Sequence, residues 1–298
     1  MLDEKDINDK HQHMLYPTVR VRTTKAGGSG TLIYSRQVPD EEEGIFESYV
    51  LTNEHVIDDN IKVEKKWSTL LKREVKTDIL AECSVEMFDF EYGSWEAGHS
   101  AYRSEIMCYD KDMDIGLLRL QTSKKFDNVA TMFPRGEHKK QLRLFQPVYA
   151  IGCGLGHPPL QTRGQLAGFT DVIDNYPYWL STAPTIFGNS GGSVYRGDTF
   201  EFIGIPSRIA VMATGFSADA ITHMSYFIPM PSIYNFLEDQ LFNFIFDESM
   251  TSKECANQRK HKRNRDEKNM VADIVKDAEP VEASTEIYKK DTPWGKGD

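Results

Sequence analysis

The chain of 298 residues has no apolar run long enough to cross a bilayer, and its charged first segment, Met1 to Tyr16, has no apolar stretch of signal-peptide length. These absences predict a soluble, cytoplasmic protein with no membrane partner. Cysteine is scarce too. Cys83, Cys108, Cys153 and Cys255 stand far apart with no CxxC pair, which argues against a disulfide-built scaffold and for free thiols in a reducing compartment. Zinc spacing is missing: Cys153 and His157 are four apart, but two lone ligands do not make a four-coordinate site. Neither metal nor cofactor is expected. An excess of positive charge is also lacking, since 35 basic residues face 45 acidic ones for a formal net charge of −10. That excludes a protein coating nucleic acid over its whole surface.

What is present is the composition of a globular chain, 40% hydrophobic and 27% charged, long enough for one large domain or one domain plus an appendage. Short β-branched and aromatic runs separated by turn residues occur at Thr18–Thr23, Thr31–Tyr34, Tyr49–Thr52, Val85–Tyr92, Ile115–Leu120, Pro147–Ile151, Phe202–Ile205 and Ser225–Ile228. This pattern predicts an all-β barrel or sandwich. Clear helical periodicity appears once in the body, after Pro231 and Ser232, where Ile233, Phe236, Leu237, Leu241, Phe244 and Ile245 recur and Ser232 can cap the start. Two insertions break the β pattern: an acidic loop around Asp40 to Glu43, and a polar stretch from Asp58 to about Lys76 that has room for a short helix. After Ser249 large apolar residues thin out, so the tail should not bury enough surface to offset its ordering entropy. The expected organisation is an extension over 1–15, a folded domain over 16–248 and a charged, disordered tail over 249–298.

The chemistry is concentrated in Gly188-Asn189-Ser190-Gly191-Gly192-Ser193. A serine is a weak nucleophile unless a base takes its proton, and flanking glycines let the backbone aim amide hydrogens at a developing oxyanion. Gly188 and Ser190 supply the natural N–H donors, although a serine between glycines is, by itself, often only a turn. Of the histidines, His55 alone follows directly on a strong strand, Tyr49-Val50-Leu51-Thr52. A buried carboxylate should hold its imidazole. Asp114 fits because it immediately precedes the apolar run Ile115-Gly116-Leu117-Leu118, whereas the competing Asp112 should be solvated in the turn.

Taken together and in this order, Gly28-Ser29-Gly30-Thr31-Leu32-Ile33, Leu51-Thr52-Asn53-Glu54-His55-Val56, Asp114-Ile115-Gly116-Leu117-Leu118 and Gly188-Asn189-Ser190-Gly191-Gly192 resemble the motifs of the trypsin-like serine peptidase family, closest to its HtrA-type branch. Ala150-Ile151-Gly152-Cys153-Gly154 and Phe227-Ile228-Pro229 are similar as well, and the match runs over about residues 16 to 240. The resemblance implies two six-stranded antiparallel β-barrels with the site in the cleft between them, followed by a C-terminal helix. It also implies a serine endopeptidase acting on polypeptide, with catalytic His55 and Asp114 from the first barrel, Ser190 from the second, and an oxyanion hole at Gly188 and Ser190. Two departures matter. Asn189 stands where digestive members carry the aspartate that pairs with a newly cut amino terminus, so activation by such a cut is not expected; and no PDZ module follows. Thr182 to Phe187 contains no acidic residue to meet a basic side chain. Pro184, Ser207 and Ile209 are therefore read as substrate-binding walls favouring an apolar residue on the amino side of the cut.

Other signals carry less. Gly152-Cys153-Gly154-Leu155-Gly156 has the look of a dinucleotide loop, but His157-Pro158-Pro159 opposes the helix that such a loop needs. An α/β-hydrolase elbow at Ser190, with Asp219 and His223 downstream, fails because Ser193 to Asp198 reads as strand then turn. The basic block within 253–268 (Arg259, Lys260, Lys262, Arg263, Arg265) suits nucleic acid or an acidic partner, with a solvated linker as the simpler reading. His11 and His13 receive no role. The rival to an enzyme is a catalytically silent trypsin-fold binding module. A third reading makes the tail the working part.

Overall fold

A computed structural model describes residues 3–39, 41–68, 73–214 and 217–277. The first barrel is built from β1 (Thr18–Arg22), β2 (Gly27–Gln37), β3 (Phe46–Thr52), β6 (Cys83–Glu91), β7 (Trp95–Asp110) and β8 (Ile115–Leu120), closed in the order β1-β2-β3-β8-β7-β6. The second comprises β9 (Pro147–Gly152), β10 (Leu160–Ile173), β11 (Tyr176–Ser181), β12 (Ser193–Arg196), β13 (Phe202–Thr214) and β14 (Ser217–Pro229), closed as β10-β11-β14-β13-β12-β9. All strand pairs within the barrels are antiparallel. Each expected strand falls on one of these elements, with only Thr23 and Tyr92 one residue past an end.

Alternation explains how the barrels stack. On β3, Val50 joins Val19, Val21, Leu32, Val85 and Leu118 inside the first barrel. Its neighbours Tyr49 and Leu51 point the other way and join the larger core, which includes Val148, Val194, Phe202, Phe227 and the C-terminal elements. Both faces of β3 are thus buried, and the strand that ends at the histidine motif is fixed from two sides.

The helices depart from expectation in three places. The closing helix α4 (Met230–Asp239, after α1 Glu4–Lys10, α2 Glu54–Ile57 and α3 His138–Gln141) begins with Pro229 at the capping position, and Ser232 lies buried in its first turn. Pro231 in the first turn has no N–H to satisfy and its fixed φ suits a helix start, and no side chain caps that end. The helix stops before Leu241, whose φ of 58° leaves the helical region, and Phe244 and Ile245 continue the buried stripe from a short 3-10 turn. Among the described residues of the polar insertion, the helical part is the short 3-10 turn Asp58–Asn60; then β4 (Ile61–Ser68) and β5 (Arg73–Leu80) pair as a separate two-stranded sheet. Its strands are largely exposed on both faces, so they lack the hydrophobic alternation by which a strand is recognised. The acidic loop around Asp40 joins β2 to β3, with Asp40 itself outside the described residues.

The tail also differs. Ser252–Asp277 is a helix, α5, whose Ser252 and Cys255 are buried against the body. A reciprocal cap starts it: Thr251 Oγ1 accepts from the Glu254 N–H (3.2 Å), and a Glu254 carboxylate oxygen accepts from the Thr251 N–H (2.8 Å). Residues 278–298 of the expected tail lie outside the described residues. All four cysteines are free thiols, and no described helix is long and apolar enough to cross a membrane.

Candidate active site

His55 sits in the one-turn helix α2, immediately after β3. Asp114 precedes β8, which pairs with β3, so strand pairing brings the two segments together. Asn53 Nδ2 donates to the Asp114 carbonyl (2.8 Å) and holds them in register. Asp114 has φ 57°, an uncommon left-handed conformation for a non-glycine residue that turns its carboxylate back toward α2. That buried carboxylate accepts from His55 Nδ1 (2.9 Å to each oxygen), from the His55 N–H (3.1 Å) and from Ser207 Oγ (2.6 Å). The imidazole is thereby oriented with Nε2 as its free nitrogen. Asp112, the competing carboxylate, is exposed in the turn before Asp114.

Burial works against protonation of His55. The hydrogen bond and charge of Asp114, helped by Asp58 and Glu54, outweigh it and raise the imidazole pKa above the ordinary histidine value. Burial raises the Glu54 carboxyl as well.

Ser190 lies across the barrel junction, and it lines the same cleft of about 430 Å³ as His55. Among the described residues its hydroxyl makes no hydrogen bond, to His55 or otherwise; catalytic hydrogen bonds are often long before substrate is bound. The loop around it is tightly set. Leu155 N–H donates to the Phe187 carbonyl (2.7 Å), and Gly192 N–H donates to the Asn189 carbonyl (3.0 Å). In a trans peptide the N–H points opposite to its carbonyl, so these two bonds direct the Gly188 and Ser190 N–H groups away from the loop's supports. Neither N–H has a partner among the described residues. Gly188 holds φ 96°, and a Cβ there would lie 2.7 Å from the Cys153 carbonyl. Asn189 Oδ1 accepts from the Ile186 N–H (3.1 Å), so its side chain closes the loop's own turn.

The expected substrate walls fare unequally. Ile209 and Ser207 line the cleft, but the Ser207 hydroxyl is spent on Asp114. Pro184 is exposed outside it, because its carbonyl is drawn to Thr162 Oγ1 (2.7 Å) on β10; Thr185 lines the cleft in its place. Ile186, Phe187, Asn189, Pro206, Arg208 and Val211 complete the walls, and the Arg208 guanidinium is engaged by Asp174 (2.7 Å). Thr185 Oγ1 and Ser225 Oγ bond to each other at 2.6 Å, both buried. Nothing in the residue order around Pro206 marks the contact that Ser207 makes with Asp114.

Residues 28–205 match the family described as trypsin-like peptidase domain. The chain belongs to that family. A crystal structure of Deg5 superposes with a TM-score of 0.53 at 18% identity, covering 79% of this chain and 94% of that one, which shows a shared fold. No curated protein matches the sequence.

Proposed function

We propose that this protein is a serine endopeptidase whose triad is His55, Asp114 and Ser190. The observation that supports it most is the His55–Asp114 pair at 2.9 Å, opening onto the same cleft as a serine flanked by two unpartnered amide hydrogens. His55 Nε2 takes the Ser190 proton as Oγ attacks the peptide carbonyl. The oxyanion forms against the N–H groups of Gly188 and Ser190, and the imidazolium gives its proton to the departing amine. Water, deprotonated by the same nitrogen, then hydrolyses the acyl-enzyme. The apolar walls Ile186, Ile209 and Val211, with the cleft's arginine already paired, fit an apolar residue on the amino side of the scissile bond.

The lack of a Ser190–His55 hydrogen bond is the one feature favouring a catalytically silent trypsin-fold binding module. A fluorophosphonate probe separates the readings. Labelling of the wild type but not of Ser190→Ala or His55→Ala supports the endopeptidase, and equal non-labelling of all three rejects it. Peptide-library profiling tests the preference: dominant cleavage after Lys or Arg would overturn it.

A further inference from the structure

The ties that shape the nucleophile loop converge on one residue of the other barrel. Ser29, in β2, is fully buried. Its N–H donates to the Ser190 carbonyl (2.8 Å), and its own carbonyl accepts from Thr52 Oγ1 (2.8 Å) at the end of the histidine strand. Its hydroxyl does two things at once. It donates to the Gly188 carbonyl and accepts from the Cys153 N–H, each at 2.6 Å. Cys153 leads into the turn Gly154–Gly156, whose Leu155 N–H holds the Phe187 carbonyl. The Ser29 hydroxyl therefore lies between the two segments that aim the Gly188 N–H: the loop itself and the turn that supports it. Because one acceptor and one donor are both required, the hydroxyl rotor has a single satisfactory setting. Without it, the Gly188 carbonyl and the Cys153 N–H both lose a buried partner. The Gly188–Asn189 peptide keeps its Asn189 N–H on the Ile186 carbonyl (3.0 Å). The Cys153 turn, however, is freed, and with it the Leu155 N–H that sets the Phe187–Gly188 peptide and so the direction of the Gly188 N–H.

We propose that the Ser29 hydroxyl is the positioning group of the oxyanion hole, fixing from the first barrel the direction of an amide hydrogen in the second. The proposal rests on the endopeptidase reading. Ser29 touches no substrate; it acts through Gly188. A transition-state contact is what it protects, so its loss should lower kcat and leave KM nearly unchanged.

The test compares the full-length wild type with Ser29→Ala and with Ser48→Ala as a control. Ser48 is equally buried and bonded to Ser35 Oγ (2.9 Å) within the first barrel. Three quantities are read: peptide hydrolysis, inhibition by a peptidyl boronic acid, and amide exchange across residues 186–192. For Ser29→Ala, kcat should fall about ten- to hundredfold, boronate affinity should fall by the same factor, KM should stay within about twofold, and loop exchange should quicken at least about tenfold. Ser48→Ala should change none of these, even where it loses thermal stability. Wild-type kcat and exchange in Ser29→Ala, or a loss carried by KM, overturns the proposal. Ser29→Cys keeps the shape while weakening both bonds, and should show the same split at smaller size. If Ser29→Ala does not fold, unchanged kcat and loop exchange in Ser29→Cys are the overturning result. A wild-type chain that cleaves no peptide refutes the endopeptidase reading separately, and the exchange comparison still decides the anchoring.

Discussion

The two walls of the cleft are held by different means. On the first-barrel side, the carboxylate of Asp114 accepts from three donors on His55 and Ser207, so the arrangement depends on which side chains are present. On the second-barrel side, the loop from Phe187 to Gly192 is held by its main chain, with carbonyl after carbonyl accepting from Leu155, Ser29 and Gly192. There the arrangement depends on a backbone path open only to glycine. Side-chain identity governs one wall, and steric room together with the Ser29 hydroxyl governs the other, and substitutions should separate the two.

Asp114→Asn attacks the side-chain wall with the largest expected effect. An amide of the same shape can hold the imidazole in place, but it favours the wrong tautomer and offers no charge to the imidazolium. In the same constellation this costs about ten-thousand-fold in kcat. The pH profile carries the sign. In the proposed mechanism catalysis needs neutral His55, so its raised pKa places the acid limb of kcat/KM above the ordinary histidine value. Replacing Asp114 removes the cause of the rise, so the limb should move to lower pH. For stability, the charged pair helps the fold fully below the ordinary histidine value, and that help is lost as pH rises through the raised folded value. A limb that stays put in Asp114→Asn would show that Asp114 does not set the imidazole.

Gly191→Ala attacks the backbone wall. Gly191 holds φ 84°, its N–H donates to the Pro206 carbonyl (3.2 Å), and a Cβ would lie 2.1 Å from the Ser29 carbonyl and 2.4 Å from Thr52 Oγ1. The loop must shift to accommodate it. Activity should fall at least about a hundredfold, with a stability loss of about 3 kcal/mol. Gly136→Ala is the matched control: φ is 80° but nothing lies within 4 Å of the added carbon. It should cost only about 1 kcal/mol of left-handed strain and leave kcat alone. Equal activity losses in both would deny the loop its special packing; thermal melts and kcat decide.

The same division explains what could be read from residues alone. Segments defined by residue type were legible: the strands, from β-branched and aromatic runs between turn residues, and the order of the histidine, aspartate and serine motifs. Interactions made through the main chain or a common hydroxyl were not. Ser207 read as a cleft wall because nothing in a serine's identity says that its hydroxyl will meet Asp114. Ser29 read only as part of a strand pair, since its contacts join β2 to residues more than a hundred positions away. The hairpin β4–β5 was hidden because neither face is buried enough to force alternation. The start of α5 carries the Thr251–Glu254 spacing of a capping box, a signal that a reading of the tail from its low apolar content alone passes over.

The smallest expected effect concerns α5, which touches neither wall of the cleft. Its Arg259 guanidinium lies 3.9 Å from the centroid of the Phe242 ring and donates to the Leu241 carbonyl, where the chain has left α4. Phe242 in turn packs edge-on against Tyr49 of β3 (6.0 Å between centroids). A half-buried guanidinium over an aromatic face, with one hydrogen bond to a carbonyl, contributes about 1–2 kcal/mol. Arg259→Ala should therefore lower stability by that amount, measured by chemical denaturation, with kcat and KM unchanged. Arg259→Lys should recover part of the loss, since an ammonium keeps the charge over the ring but not the planar stacking. Lys260→Ala, one residue on and exposed, should have no measurable effect. If Arg259→Ala matched Lys260→Ala, α5 would be an appendage; the expected difference makes its first turns part of the folded body, supporting the far face of the strand that ends at His55.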